Sequence, residues 1–281
     1  MSGFLSALGE FAFLRHALLA GVLASVACGV VGTYVVTRRI TVIAGSLAHM
    51  VLGGMGAAYW AREVHGLTWL HPLHGAIAAA LLGAVIIGTA RARGDEREDT
   101  VISALWAVGM AVGILFLFRT PGYKADLMTY LFGNIVMVDA TALKVLVAVD
   151  VLVLGVTALL YRPLLAVCFD EEFARLRGLR VGLYNTLLLC LAALTIVTLI
   201  YVVGVVLVIA LVTLPVSVAG LAARRLWQMM IGAAALSALL TTAGLALSYD
   251  AELPVGATTI LLTAAVYLVA HMVADRRRRI R

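Results

Sequence analysis

The chain has 281 residues, of which 63% are hydrophobic and 13% charged, and its mean hydropathy is +1.07. A soluble domain is about 45–50% apolar and about 25% charged, so the composition excludes a soluble enzyme and indicates an all-α integral membrane protein with one transmembrane domain over residues 1–281. The formal net charge of +6 does not indicate nucleic-acid binding, because the basic residues lie at the ends of apolar runs.

Apolar runs of membrane-spanning length predict a bundle of eight or nine transmembrane helices. The predicted spans lie near 14–36, 43–60, 72–90, 100–118, 141–161, 183–203, 205–223, 228–249 and 256–273. The count depends on residues 181–223, which carry no charge and have a turn signal only at Tyr201–Gly204. A broken or partly re-entrant helix, kinked at Pro215, is the alternative to two full spans there.

The distribution of Lys and Arg predicts that the N-terminus lies outside and the C-terminus inside. With nine crossings, five of the 21 Lys and Arg residues lie outside and the others inside. The five are Arg15, Arg62, Arg119, Lys124 and Lys144. The basic stretches 175–180 and 224–225 are then both cytoplasmic, which favours two crossings between them.

The second span carries one ionisable side chain, His49, near its centre. Gly45, Gly53 and Gly56 follow the same helical face, at four before, four after and seven after His49. One interpretation is close packing of helices through small residues, with a structural histidine. The other is a narrow solute route that exposes a metal-type ligand, because an ionisable group inside a membrane is costly and usually faces a bundle interior or a pathway.

Further candidate ligands lie in the fifth span and in the loops predicted to be outside. Asp150 lies near the middle of the fifth span, where it could pair with His49 or bond a Ser or Thr hydroxyl. The outside loops are enriched in histidine and acid: Glu63, His65, His71, His74, Asp126, Asp139, Asp250 and Glu252. These are ligand types for divalent transition metals, so the loops are either ordinary solvated loops or a vestibule for cations. Cys28, Cys168 and Cys190 are scattered and predict neither a disulfide framework nor a cysteine metal site.

Residues 162–182 predict a short amphipathic helix on the cytoplasmic side. Phe169, Phe173 and Leu176 fall at i, i+4 and i+7, acidic residues 170–172 precede basic ones, and Gly178 breaks the pattern. The helix could lie on the inner membrane surface or dock a soluble partner, and its acidic start favours docking. The chain itself has no GxxxxGK[ST] phosphate loop and no GxSxG or HExxH motif, so we expect it not to be an enzyme.

Five segments, in chain order, resemble those of the permeases of zinc, manganese and iron ABC transporters, the ABC-3 family. RRITVIAGSLAHMVLGG (38–54) resembles the segment with a histidine in the second span, and ADLMTYLFGNI (125–135) a DLM-x-YLFG segment. CFDEEFARLRGL (168–179) occupies the place of the coupling helix, with Asp170, Ala174 and Gly178 matching. Two later segments, 203–224 and 249–262, match at Gly204, Leu207, Leu211, Pro215, Ala219, Asp250, Pro254 and Gly256.

The resemblance implies a homodimeric permease in the bacterial cytoplasmic (inner) membrane that imports a divalent metal by alternating access. It implies two copies of a separate ATP-binding cassette ATPase, docked on coupling helices at about 168–180, and an extracytoplasmic metal-binding protein. The coupling residues are then Asp170, Glu171, Ala174 and Gly178, and the residues of the metal path are His49, Asp126, Asp150 and Asp250. The metal would be a transported substrate, with no permanently bound cofactor.

The chain departs from the family pattern at Gly45, because many members have an Asp four residues before the histidine. His49 would then act alone in each protomer, giving a two-histidine site across the dimer, or would share the metal with Asp150. We expect zinc as the cargo, followed by manganese or iron. The alternatives are a permease for a larger metal chelate, such as a siderophore or cobalamin, and a proton-coupled secondary carrier that needs no ATPase.

Overall fold

The computed structural model describes residues 2–92, 98–121 and 138–280, and regular structure in these ranges is entirely α-helical. The helices, numbered in chain order, are α1 (Ser2–Glu10), α2 (Ala12–Thr37), α3 (Thr41–His65), α4 (Pro72–Ala92), α5 (Glu98–Arg119), α6 (Ala140–Leu159), α7 (Tyr161–Phe169), α8 (Glu171–Leu176), α9 (Val181–Val203), α10 (Val205–Ala222), α11 (Leu226–Ala251) and α12 (Val255–Ile280).

Nine of the helices in these ranges are long and apolar enough to cross a membrane. Each overlaps one of the nine predicted spans, so the prediction of an all-α membrane bundle is confirmed. The uncharged stretch 181–223 forms two helices, because Gly204 has φ 86° and separates α9 from α10. Glycine reaches this conformation without the steric cost that a Cβ imposes. Pro215 lies inside α10, which continues through it.

Two compact units make up the chain. One contains α1, α2, most of α6, the last residues of α9, and α10 to α12. Its helices approach closely at small residues: a Cβ built on Gly29 of α2 would lie 2.6 Å from the backbone nitrogen of Ala234, and one on Gly32 would lie 2.5 Å from the carbonyl oxygen of Val212. Such close approach of backbones is typical of helices that associate inside a membrane.

The other unit contains α3, α4, α5, α7, α8 and most of α9. Within it, α3 packs against both α4 and α5. The α3 helix follows a tight turn in which Arg39 has φ 57°, and it ends at Gly66, whose φ of 67° is the left-handed conformation common after helix C-termini. This unit therefore holds both the span with His49 and the segment predicted to dock a partner.

Candidate functional site

The imidazole of His49 lies on α3 and stacks on the indole of Trp106 on α5. The two ring centroids are 4.5 Å apart and the rings are inclined by only 14°. Both side chains are partly exposed, Trp106 at 37%. One face of the imidazole is therefore covered and its orientation defined, while part of the ring stays accessible to a ligand.

Gly45 lies one helical turn before His49 and leaves space beside the same indole. A Cβ built on Gly45 would meet only Trp106 Cζ3, at 3.8 Å, which is ordinary van der Waals contact. The neighbouring Ser46 hydroxyl donates a hydrogen bond of 2.9 Å to the carbonyl oxygen of Ile102 on α5. This bond links α3 to α5 next to the open position.

Gly53 and Gly56 have a different environment, because both press against the backbone of α5. A Cβ on Gly53 would lie 2.7 Å from the carbonyl oxygen of Gly109, and one on Gly56 would lie 2.8 Å from that of Gly113. On the α4 side, Gly54 makes an even closer approach to Gly75, where a Cβ would lie 2.1 Å from the Gly75 carbonyl oxygen. The packing interpretation therefore holds for Gly53 and Gly56, whereas Gly45 beside His49 is unfilled.

Asp150 lies on α6 and is 4% exposed. Its two carboxylate oxygens are buried and have no hydrogen-bond partner among the residues that the structure describes. The carboxyl lies within electrostatic range of the Cys28 thiol on α2. Asp150 and His49 belong to different compact units, and their pairing stays a prediction.

The remaining predicted path residues and loop ligands have separate local settings. Asp126 lies outside the described residues, and Asp250 is exposed near the C-terminal end of α11. Asp139 accepts a hydrogen bond of 2.8 Å from the backbone N–H of Ala142 and so caps the start of α6. Among residues 2–92, 98–121 and 138–280, no three His, Cys, Asp or Glu side chains are grouped to hold one metal ion.

His71, directly before α4, and His74, in the first turn of α4, also cap that helix. His71 Nδ1 accepts a hydrogen bond of 3.2 Å from the backbone N–H of Leu73, and His74 Nδ1 accepts one of 3.3 Å from that of His71. A neutral imidazole that accepts at Nδ1 carries its proton on Nε2 and has no second lone pair for a metal. These rings therefore stabilise the start of α4 in this arrangement.

The segment predicted as a coupling helix consists of the end of α7, the short helix α8 and a glycine turn. Asp170 separates the two helices and caps α8, since its carboxylate accepts a hydrogen bond of 2.8 Å from the backbone N–H of Phe173. Ala174 is fully buried against Val167 and Val181, and Gly178, with φ 78°, follows the helix.

The outward face of this segment is apolar. Phe169, Phe173 and Leu176 are 66%, 47% and 88% exposed, and the Arg177 guanidinium lies 4.9 Å from the centre of the Phe173 ring. Phe169 ends α7 and the other two lie on α8, and a segment that exposes three large apolar side chains beside charged residues offers a surface on which a partner can dock.

Glu171, the first residue of α8, is held from within the same unit. Its Oε1 accepts hydrogen bonds from Arg38, in the turn before α3, and from Asn185 Nδ2 on α9 at 3.3 Å. Burial raises the pKa of Glu171, but the Arg38 hydrogen bond and charge, together with Asn185 and Arg91, outweigh it and hold the pKa below its ordinary value. We therefore expect Glu171 to be ionised at neutral pH.

Sequence reasoning missed two residues of these sites. Trp106 is one apolar residue among many in its span, and only its position three residues before Gly109 on α5 distinguishes it. Arg38 was considered only as a basic residue at a helix end and as the start of the family segment 38–54, with no contact assigned to it. Its contact with Glu171 joins positions 133 residues apart, which no local pattern reveals.

Comparison with known proteins identifies the family. The sequence profile of the ABC 3 transport family matches residues 10–274. A probable metal transport system membrane protein of Chlamydia pneumoniae is 40% identical over 263 residues, covering 94% of this chain and 89% of the relative. The manganese import system permease protein ScaB of Streptococcus parasanguinis is 31% identical over 276 residues, covering 98% and 96%.

A solved structure has the same fold. PsaBC from Streptococcus pneumoniae, in complex with Fab, superposes with a TM-score of 0.84 at 28% identity, covering 96% of this chain and 94% of that chain. The match runs over nearly the whole length of both chains, as does the family profile. This chain is therefore a multi-pass membrane protein and belongs to the ABC 3 transport family.

Proposed function

We propose that this chain is the membrane subunit of an ABC importer for a divalent transition-metal ion, with His49 as a ligand on the translocation path. The observation that carries the proposal is the partly exposed imidazole inside a membrane span, oriented by Trp106 beside the unfilled position Gly45. Glycine contacts to α4 and α5 hold the span on either side. A single weak ligand suits a conduit, because an ion must leave the site as readily as it enters.

We propose zinc as the preferred cargo. Imidazole suits zinc, whereas manganese favours carboxylate, carbonyl and water oxygens, and the carboxylate of the family pattern is absent at position 45. ScaB is named for manganese, so manganese is the competing cargo. Asp150 is the second proposed path residue, because a buried carboxylate without a hydrogen-bond partner is costly and a passing cation would offset that cost.

The proposed assembly follows the family. Two copies of the chain would bind two copies of a cytoplasmic ATPase through α8, and an extracytoplasmic protein would deliver the metal to the opposite face. The N-terminus would lie outside and the C-terminus inside, as the positive charges indicate. In this arrangement the apolar part of the ATPase contact is formed by Phe169, Phe173 and Leu176. On the opposite side of α8, Ala174 is buried against Val167 and Val181.

The test is ATP-dependent uptake of radioactive zinc and manganese by proteoliposomes that contain the chain, its ATPase and its binding protein. We expect His49→Ala to lower zinc uptake by at least about tenfold, because in other metal sites even the loss of a residue that only orients a ligand costs about 10–100-fold. His271→Ala is the matched control, because His271 is another partly buried membrane histidine, on α12, and its Nδ1 lies 3.0 Å from the carbonyl oxygen of Tyr267.

Normal uptake by His49→Ala would show that His49 is not on the path. Competition separates the chelate alternative, since uptake of a chelate is unaffected by excess free metal. Transport by the chain without its ATPase would favour a proton-coupled carrier instead.

A further inference from the structure

Arg38 connects three parts of the unit that contains α3. It lies in the turn between α2 and α3, and its side chain is only 6% exposed. One guanidinium nitrogen, Nη2, contacts Glu171 Oε1 at the start of α8, and the other, Nη1, donates to the carbonyl oxygen of Val167 in α7. The Arg38 side chain therefore bridges the end of α7, the start of α8 and the turn that leads into α3.

The bridge has a well-defined geometry. A guanidinium presents its donors in a fixed planar fork, and here the fork engages two acceptors on either side of Asp170. Glu171 is fixed in turn by Asn185 on α9, and its charge also interacts with that of Arg91 at the end of α4. The Arg38 charge is buried, and leaving it without its partner is unfavourable, so Arg38 and Glu171 move together.

The connection reaches the helix with His49 over a short distance along the chain. α3 begins at Thr41, three residues after Arg38, and His49 lies about two turns further along. After His49, α3 is held by close contacts between its glycines and the backbone of neighbouring helices, such as that of Gly53 with Gly109. Because packed interiors transmit strain rather than absorb it, a displacement of α8 would displace the N-terminal end of α3.

We propose that Arg38 is a positioning residue of the transport cycle, which converts displacement of α8 by the ATPase into displacement of α3 and its His49. The proposal rests on the proposed function, in which α8 docks the ATPase and His49 lines the path. It assigns to Arg38 a role in transmission and not in holding α8 in place.

Other contacts hold α8 in its position. Ala174 is fully buried in an apolar cluster with Val167 and Val181, and the cap at Asp170 is formed within α8 itself. The exposed apolar face of α8 does not include Arg38. We therefore expect α8 to stay folded and able to bind the ATPase when the Arg38 bridge is removed.

The experiment compares Arg38→Gln and Glu171→Gln with wild type in the reconstituted complex. Copurification of the ATPase, ATP hydrolysis and metal uptake are measured in the same preparations. In Arg38→Gln we expect ATPase binding and ATP hydrolysis to persist while metal moved per ATP falls about tenfold. Glu171 lies on the docking helix itself, so for Glu171→Gln we expect the same fall in metal moved per ATP in the complexes that retain the ATPase. Arg39→Gln is the matched control: Arg39 is the adjacent, exposed arginine, and its loss should leave the ratio unchanged.

A double substitution tests whether the two residues act through one contact. If they do, Arg38→Gln with Glu171→Gln lowers the ratio no further than either change alone. If Arg38→Gln does not fold, Glu171→Gln carries the test, because it leaves the bond from Arg38 to Val167 in place. An unchanged amount of metal moved per ATP in the variants that fold, or a loss of ATPase binding by Arg38→Gln in parallel with uptake, overturns the proposal.

A second readout is independent of the cargo. Amide hydrogen exchange of residues 41–49 and 170–176 is compared with and without ATP. In wild type we expect nucleotide to change both segments, and in Arg38→Gln only 170–176. A wild-type complex that moves none of zinc, manganese and iron refutes the proposed function, whereas a response of residues 41–49 that survives Arg38→Gln refutes the transmission role.

Discussion

Gly45→Asp introduces a carboxylate one helical turn before His49, at the place where the family pattern has one. The new Cβ would lie 3.8 Å from Trp106 Cζ3, so the backbone does not have to move. Side chains at i and i+4 have Cβ atoms about 5–6 Å apart, and zinc bonds to nitrogen and oxygen are about 2.0–2.2 Å long. An aspartate at 45 and the imidazole of His49 can therefore reach the same ion.

Two opposing effects change the affinity for both ions alike, and the shift between the ions comes from their different ligand preferences. Two unit charges 4 Å apart interact by about 4 kcal/mol at an effective dielectric constant of 20, while taking a carboxylate out of water costs several kcal/mol. Both metals gain from the added ligand, but manganese gains more, because it prefers oxygen ligands. We expect a net shift of about 1–2 kcal/mol toward manganese, which is about a five- to thirtyfold change in relative affinity.

The assay is competition between the two ions for ATP-dependent uptake. Two concentrations are measured: that of manganese which halves zinc uptake, and that of zinc which halves manganese uptake. The ratio of the first to the second is compared between wild type and Gly45→Asp. Gly45→Asn has nearly the same size without the charge, and Gly45→Ala tests the occupied space alone. Both controls should keep the wild-type ratio within about twofold, which is about 0.4 kcal/mol.

One result would refute the reasoning. If Gly45→Asp folds and transports but shifts the ratio no more than Gly45→Asn, the space beside Trp106 is not on the path of the ion. His49 would then be a packed histidine whose stacking on Trp106 is structural.

Two further predictions concern packing and pH. Gly53→Ala should lower the thermal unfolding midpoint of the purified protein, because its Cβ would lie 2.7 Å from the Gly109 carbonyl oxygen and overpacking costs about 1–3 kcal/mol. Gly45→Ala should leave the midpoint unchanged or raise it. Equal effects of the two substitutions would contradict the conclusion that Gly53 is tightly packed and Gly45 is not. The Arg38–Glu171 pair lowers the pKa of Glu171, so its stabilisation is complete above the ordinary glutamate value of 4.5 and disappears as the pH falls through the lowered value. Wild type should therefore lose more stability than Glu171→Gln on acidification below about pH 4.5, and parallel unfolding curves would show that the pair contributes nothing.

The glycines around His49 show where sequence reasoning reached its limit. Helical periodicity places Gly45, Gly53 and Gly56 on one face with the imidazole, but it does not identify what lies opposite. The structure distinguishes them because Gly109 and Gly113 of α5 face the later two and the Trp106 ring faces the first. That distinction depends on a neighbouring span more than fifty positions further along the chain.

Residues 162–182, the predicted docking segment, likewise have some features that the sequence shows and others that only the structure shows. Its acidic start, basic end and apolar positions were readable from residues 162–182, and the structure has a helix there with Asp170 as its cap. The structure divides this segment into two helices at Asp170, and the burial of Ala174 depends on packing against Val181 of α9. The roles of Asp170, Glu171, Ala174 and Gly178 in coupling stay predictions, as do those of His49, Asp126, Asp150 and Asp250 in metal passage.

The sequence by itself determined the membrane class, the family and a count of eight or nine spans, because the length of an apolar run and the order of short motifs are local properties of the chain. Tertiary structure alone decided that Trp106 orients His49, that Gly45 is open while Gly53 is filled, and that Arg38 joins the docking segment to α3. The physical reason is that the side chains of spans with similar hydropathy differ chiefly in which neighbours they meet, and those neighbours are set by packing between helices distant in sequence.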